Sequence, residues 1–286
     1  MRERLRLAIP NKGRLLESTL GLLHDAGLVF EAHDRSLIAR VQNHPLDILF
    51  VRTNDVVEFV ADGVAEVGIT GGDILAESGR DLPILRELGY GRCRLVAAVS
   101  ADSPYEAITD LHAVRVATSH PNVTRRFFAD QGIPVEVIAL SGAVEVAPRL
   151  GLADAIVDLV STGSTLQMNG LRALGDILAS EAVLLANPAA QAAHPGELDG
   201  IVTMFGSVIA ARGRKYLMMN APAAKLSELE SLLPGLESPS VIPLAHQGMI
   251  AIHSVVGADE VWGLLPRLKA AGASGILVLP IEKILP

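Results

Sequence analysis

"LDILFVRTNDVVEFVADGVAEVGITGGDILAESG", residues 46–79, changes apolar period twice in a short span. "LDILFV" (46–51) is a compact apolar run of strand length. Asn54 or Asp55 can then cap a helix over "VVEFVADG" (56–63), which ends on a glycine. "VGIT" (67–70) supplies the next strand, and "GGD" turns the chain into "ILAESG". Strand, helix, strand, helix, with no hairpin signal between strands, predicts an α/β protein with largely parallel strands.

The same rhythm extends outward in both directions. Before it, "LRLAIP" (5–10) reads as a strand and "RLLESTLGLLHDAG" (14–27) as a helix closed by Gly27. After it comes a second set: strands at 94–99, 115–118 and 135–140, a helix over 123–132, and a helix over "AVEVAPRLG" (143–151) in which Pro148 forecasts an early end or a kink. "NPAAQAAHPGELDG" (187–200) reads as a surface loop, and "IVTMFGSVIAARG" (201–213) as a helix leading out of it. The remaining chain runs strand "KYLMMN", helix "AKLSELESLL", strand "SVIPL", strand "MIAIHSVV", helix "DEVWGLLPRLKAAG", strand "GILVLP". That βαββαβ order is the ferredoxin-like arrangement of a small independent domain.

Composition limits the function classes. With 286 residues, half of them apolar, the chain can bury about 75% of its unfolded surface and fold as two or three domains. A net charge of -8 argues against a general nucleic-acid binder, which carries a basic face. Cys93 is the sole cysteine, which excludes an intramolecular disulfide and leaves it a packing role. The N-terminus is charged and broken early by Pro10 and Gly13, unlike a signal peptide, and no apolar run reaches membrane-spanning length. A cytoplasmic protein without nucleic-acid or membrane partners is expected.

The chemistry concentrates in "DAIVDLVSTGSTL" (154–166). A strand "AIVDLV" running into a glycine-containing turn and then a helix leaves several backbone N–H groups pointing into one concavity, which suits a phosphate. Gly163 lets the backbone approach closely, while Ser161, Thr162, Ser164 and Thr165 add hydroxyl donors. Asp158 cannot serve the phosphate, since two anions repel, but it can accept both hydroxyls of a ribose. The stretch reads as a ribose-5-phosphate site, or, more plainly, as a hydroxyl-rich turn capping a helix. Asp154 shares the spacing but enters the strand, where an acid more simply ends a turn.

This stretch, extended back to Glu145 as "EVAPRLGLADAIVDLVSTGSTL", resembles the signature of the ATP phosphoribosyltransferases. "IPNKGRL", "DILFVR", "GITGGD", "ATSHPN" and "ASGILVLPIEKI" resemble further segments of that family in the same order, and "GLESPSVIPLA" with the βαββαβ block resembles its long form. The resemblance implies transfer of phosphoribose from phosphoribosyl pyrophosphate to N1 of ATP with Mg2+, as the first step of histidine biosynthesis, and feedback inhibition by histidine. It implies a two-lobed core of the type II periplasmic-binding-protein kind, with lobe I at 1–93 and 184–212, lobe II carrying the phosphoribosyl pyrophosphate loop at 94–183, and an ACT-like regulatory domain at 213–286. A homo-oligomer, dimer or hexamer, is implied as well. Histidine contacts carry over to Leu236, Ser238, Ser240 and Ala273; the carboxylate that meets the ligand amine has no matching residue in "NAPAAK".

Other candidates come from chemistry and position. Lys12 and Arg14 follow the first strand, where ligands collect at carboxyl ends of parallel strands, and are candidates for pyrophosphate or ATP phosphates. Arg52 ends an apolar strand, so its charge calls for an anion, ATP phosphate, or a carboxylate. Glu145 can face the ribose or a Mg2+-bound water, or be an ordinary helix acid. Asp73 can cap the next helix or face nucleotide, and His120 can line the site or serve structure. Competing readings are an ordinary type I phosphoribosyltransferase, whose loop is usually preceded by paired acids, a two-lobed solute-binding protein, and an inactive histidine sensor.

Overall fold

The computed structural model describes residues 4–32, 36–161, 164–233 and 238–285. The chain divides into two compact units, Met1–Val202 and Thr203–Pro286.

In the first unit β1 (Leu5–Pro10), α1 (Leu16–Asp25), β2 (Ile38–Arg40), β3 (Leu46–Val51), α2 (Asp55–Ala61), β4 (Val67–Gly71), α3 (Gly72–Ser78) and β5 (Ile84–Glu87) follow in order. The chain then enters β6 (Cys93–Ser100), β7 (Arg115–Thr118), α4 (Pro121–Asp130), β8 (Glu136–Ala139), β9 (Ala155–Val160), α5 (Ser164–Met168) and β10 (Leu171–Ser180). β11 (Ala182–Ala186) returns to the starting sheet, followed by α6 (Pro188–Ala193), and α7 (Pro195–Ala211) begins in this unit and ends in the second. One sheet has the order β2-β3-β1-β4-β11-β5 and the other β10-β6-β9-β7-β8.

The parallel character predicted from residues 46–79 is present where helices cross over: β1 runs parallel to β3 and β4, and β7 to β8 and β9. β4 is buried at every position, as a central strand covered on both faces must be. Gly68 is required there, because a Cβ would stand 2.7 Å from side-chain carbons of Val56 and Val60 on α2. The returning strands are antiparallel: Ala182 of β11 pairs with Gly71, and Arg94 of β6 with Val160. Both segments that pass between the sheets, β5 to β6 and β10 to β11, therefore lie at the carboxyl ends of the parallel strands. Ligands collect at such rims.

Two local expectations are corrected. Residues 143–151 form a 3-10 turn over Val144–Val146 rather than an α-helix; Pro148 removes the N–H and volume an α-helix needs. Residues 187–200 are mostly helical, since Asn187 accepts from the N–H groups of Ala189 (2.9 Å) and Ala190 (3.1 Å). Asn followed by Pro is a helix start as well as a turn signal.

The second unit contains β12 (Arg214–Pro222), α8 (Leu226–Glu230), β13 (Ser240–Pro243), β14 (Met249–Gly257), α9 (Val261–Ala270) and β15 (Ser274–Pro280). Its sheet has the order β13-β14-β12-β15 with every pair antiparallel, the ferredoxin-like topology expected. Alternate residues of β12 and β14, Leu217, Met219, Ile250 and Ile252, pack with Leu229, Leu264 and Leu268 of the two helices. Each such large side chain, taken fully from water, stabilises the unit by about 1.5–3 kcal/mol. Among the described residues no helix is long and apolar enough to cross a membrane.

Candidate active site

Strand alternation fixes what surrounds Asp158. Ala155 and Val157 face one core cluster, while Ile156 and Val160 face the other, together with Val144 and Ala147 of the 3-10 segment. Asp158 shares the face of Ile156 and Val160, so packing of Val144 brings Glu145 into its electrostatic reach. Ala143 enters this segment at φ 52°, a left-handed conformation costing an L residue about 1–2 kcal/mol.

Burial pushes the Asp158 carboxyl above the ordinary carboxylate range. The Leu159 N–H, donating to Oδ1 at 2.8 Å, pulls downward, Glu145 pushes further up and His120 opposes it, with a net upward result. A half-buried carboxylate with one hydrogen-bond donor among the described residues has acceptor capacity left over. Asp154 is spent differently: it accepts from the Arg115 N–H at 2.9 Å and lies 3.5 Å from the Arg115 guanidinium.

A second buried acid stands at the end of β4. Asp73 is 2% exposed and His120 4%; His120 Nε2 lies 3.4 Å from Asp73 Oδ2, a charge contact rather than an aligned hydrogen bond. Ser180 Oγ donates to Asp73 Oδ1 at 2.7 Å and accepts from the Asp73 N–H at 2.8 Å. Burial opposes ionisation of Asp73, but the His120 and Ser180 contacts, with the charges of His120 and Arg14, outweigh it and hold the carboxyl below its usual range. Asp73 is therefore not a helix cap: Gly71 holds that position without a side-chain cap. A Cβ on Gly71 would collide with the Asp73 carboxylate as it is placed here, which accounts for the first glycine of the "GG" in "GITGGD".

His120 is buried, with Nδ1 3.0 Å from Ser119 Oγ, while Nε2 faces Asp73 without an aligned hydrogen bond. Its charge acts on Asp73 and on Asp158, so one imidazole links the acids of the two sheets. Ser180 was not singled out by sequence; no local signal marks it, and 107 positions separate it from Asp73.

The remaining candidates surround the rims. Lys12 and Arg14 are exposed beyond β1, and Arg14 Nη2 reaches the Cys93 Sγ at 2.9 Å, so it points toward the crossing segments. Cys93 itself is buried at the start of β6. Arg52 is exposed just past β3 and has no ion pair among the described residues. That corrects the inference of a buried charge in need of a partner, because the strand stops one residue earlier. Ser161 is exposed at the end of β9, and Ser164 opens α5 with Thr165 next. Thr162 and Gly163 lie outside the described residues, as do the side chains of Ser164 and Thr165. A cavity of about 640 Å3 opens beside the crossing segments and takes in Gly72, Cys93, Ser161, Ser180 and Glu181.

In the second unit Ser238 is exposed, Ser240 starts β13 opposite His253, and Ala273 is buried before β15. Leu236 lies outside the described residues. Tyr216 Oη is 2.9 Å from His253 Nδ1 on the same sheet. No group of three or more His, Cys, Asp or Glu side chains that could cage a metal occurs among the described residues.

Comparison with known proteins gives a concordant answer. The family model "HisG: ATP phosphoribosyltransferase" matches residues 52–207, and "HisG, C-terminal domain" matches residues 211–283. The ATP phosphoribosyltransferase of Gemmatimonas aurantiaca is 47% identical over 99% of this chain and 100% of its own length. That of Methanosarcina acetivorans is 43% identical with the same coverage. Among solved structures, the Thermotoga maritima ATP phosphoribosyl transferase (HisG:HisZ) complex contains a chain 32% identical, with TM-score 0.63, covering 72% of this chain and 98% of that one. Matching in both units and over its full length, the chain belongs to the ATP phosphoribosyltransferase family, the pentosyltransferases that open histidine biosynthesis.

Proposed function

We propose that the carboxyl-end rims of the first unit transfer phosphoribose from phosphoribosyl pyrophosphate to N1 of ATP, with Asp158 as the ribose contact. One observation carries the assignment: Asp158 is half-buried, has a raised carboxyl and unused acceptor capacity, and stands immediately before Ser161 and α5. Ribose hydroxyls supply the missing donors. The Ser161 to Thr165 segment takes the 5-phosphate through backbone N–H groups and hydroxyls, with no cation required.

Displacement at the anomeric carbon passes through an oxocarbenium-like state, so the protein's work is to hold the sugar, stabilise departing pyrophosphate and aim adenine. Lys12 and Arg14, beyond β1, are placed for pyrophosphate. Arg52, exposed and without an ion pair among the described residues, is the cation for ATP phosphate, and Asp73 with His120 fixes the rim that faces adenine. Adenine N1 is already unprotonated near neutral pH, so no strong general base is needed. Glu145, whose charge already acts on Asp158, contributes a second oxygen donor there.

Mg2+ keeps several waters and is bound by one or two carboxylates plus substrate phosphates rather than by an all-protein cage. Glu145 and Asp158 fit that donor chemistry and would hold such an ion, which supplies charge neutralisation for pyrophosphate when bound. The second unit, at 213–286 in this reading, senses histidine through Leu236, Ser238, Ser240 and Ala273, and the chain assembles as a homo-oligomer, dimer or hexamer. Inhibition then requires histidine to favour one assembly or lobe arrangement over another.

The test mixes the protein with ATP, phosphoribosyl pyrophosphate and Mg2+, with and without histidine, following the ultraviolet change of N1-substituted adenine. A signal dependent on both substrates and suppressed by histidine is expected. No such signal would leave only a binding role, and a signal indifferent to histidine would remove the regulatory one.

A further inference from the structure

The two sheets of the first unit meet through a contact that the transfer chemistry above does not use. α3 belongs to the sheet of β4 and α4 to the sheet of β7, and the start of α4 is capped by a side chain of α3. The Glu77 carboxylate accepts from the Asn122 N–H (2.9 and 3.0 Å to its two oxygens) and from the Val123 N–H (2.9 Å). Asn122 Nδ2 in turn donates to the Glu77 carbonyl at 2.9 Å.

The sequence of α4 leaves this place open for a distant residue. His120, its N-cap, makes no side-chain cap, and Pro121 at the first helical position has no N–H to offer. The next two amides are orphan donors at the positive end of the helix dipole, and Glu77 satisfies both. Glu77 also stands one helical turn beyond Asp73 on the same face of α3. α3 thus presents two carboxylates to one corner: Asp73 to the His120 ring, Glu77 to the backbone immediately after it.

We propose that Glu77 is a positioning residue for the transfer reaction: by capping α4 from the opposing sheet, it sets the spacing of the two rims and keeps His120 against Asp73. The role rests on the reading of Asp158 as the ribose contact, because only then do the two rims that Glu77 joins hold the two substrates. Substrates held on two rims react only at one spacing, and a misplacement of about 1 Å can cost about 100-fold in rate.

The experiment uses the full-length chain in three forms: wild type, Glu77→Ala, which removes the cap, and Glu77→Gln, which keeps one carbonyl acceptor. Spin labels on Glu17→Cys and Asp130→Cys, exposed positions on the two sides, report the distance between the sheets, with buried Cys93 left in place. Glu77→Ala should lower kcat by about tenfold or more, hold KM for each substrate within about threefold, and broaden or lengthen the interlabel distance. Glu77→Gln should recover part of both losses. Unchanged kcat, a loss confined to KM, or a reduced kcat with an unchanged distance distribution each overturns the positioning role. Wild-type kinetics in Asp158→Asn would instead remove the ribose assignment while leaving the distance result standing, so the two failures are told apart.

Discussion

Replacing Asp158 by asparagine keeps the volume and removes the charge, and the structure sets which way the amide points. Oδ1 of Asp158 accepts from the Leu159 N–H at 2.8 Å, so the asparagine carbonyl stays there and its NH2 group faces the sugar. That group cannot accept a hydroxyl proton. Two charge-assisted bonds of about 1.5–2 kcal/mol each are lost, together about 3–4 kcal/mol, or about 100- to 1000-fold in kcat/KM for phosphoribosyl pyrophosphate at 1.4 kcal/mol per tenfold. Stability moves the other way. The folded carboxyl is raised above its unfolded value by burial and by Glu145, so its contribution to stability is present below the unfolded pKa and lost as pH rises through the folded one. At pH 7 the asparagine variant should therefore melt no lower than wild type. The adenine ultraviolet assay and a thermal melt on the same samples decide it: wild-type kcat/KM refutes the ribose contact, and lost activity with a clearly lower Tm refutes the electrostatic account.

Glu145→Gln removes one upward push on Asp158, so the acid limb of the kcat/KM profile should move to lower pH; an unmoved limb in a pH–rate series contradicts the coupling. His120→Ala leaves the Asp73 carboxylate buried without its main partner and should cost about 3 kcal/mol, lowering Tm by about 10 °C for a unit of this size. Because the Asp73 carboxyl is depressed in the fold, the stability it contributes is present above its unfolded pKa and lost as pH falls through the folded one. Calorimetry should show the gap between wild type and His120→Ala narrowing in acid, and a gap constant with pH counts against it. Ser240→Ala should raise the histidine concentration for half-inhibition about fivefold, the effect of one hydrogen bond of about 1 kcal/mol; an unchanged inhibition curve removes Ser240 from the regulatory contact.

What sequence could reveal follows the range over which each feature is encoded. The strand over residues 46–51 and the helices after it were legible because period, cap and terminating glycine lie within a few residues of one another. The βαββαβ unit was legible for the same reason. β10 and β11 were not: β10 is an edge strand with two register shifts and mixed exposure, so its alternation breaks, and β11 is a short buried run that periodicity alone cannot assign. Arg52 was misjudged because one residue of strand length decides whether a charge is buried. Asp158 was singled out by its position before a phosphate-suited turn, whereas Ser180 and Glu77 act on residues 107 and 45 positions away and carry no pattern of their own.

The two acids explain why the rims hold a histidine between them. Asp73 is buried and Asp158 half-buried, yet the more buried one is pulled below the usual carboxylate range and the other pushed above it, and the difference is the number of donors each meets. Asp73 has the Ser180 hydroxyl and the His120 contact, so it is ionised and structurally occupied. Among the described residues Asp158 accepts from one backbone N–H and has a carboxylate neighbour, with only the more weakly acting His120 on the other side, so its ionised form is less well met. A ribose offering two hydroxyl donors supplies what the fold withholds. Sugar binding should then lower the Asp158 pKa, and calorimetric titrations below neutrality in buffers of different ionisation enthalpy should register the released protons. His120 pulls the Asp158 carboxyl back toward ionisation, so in the proposed reading its placement, and the Glu77 cap next to it, bear on the sugar although neither residue touches it.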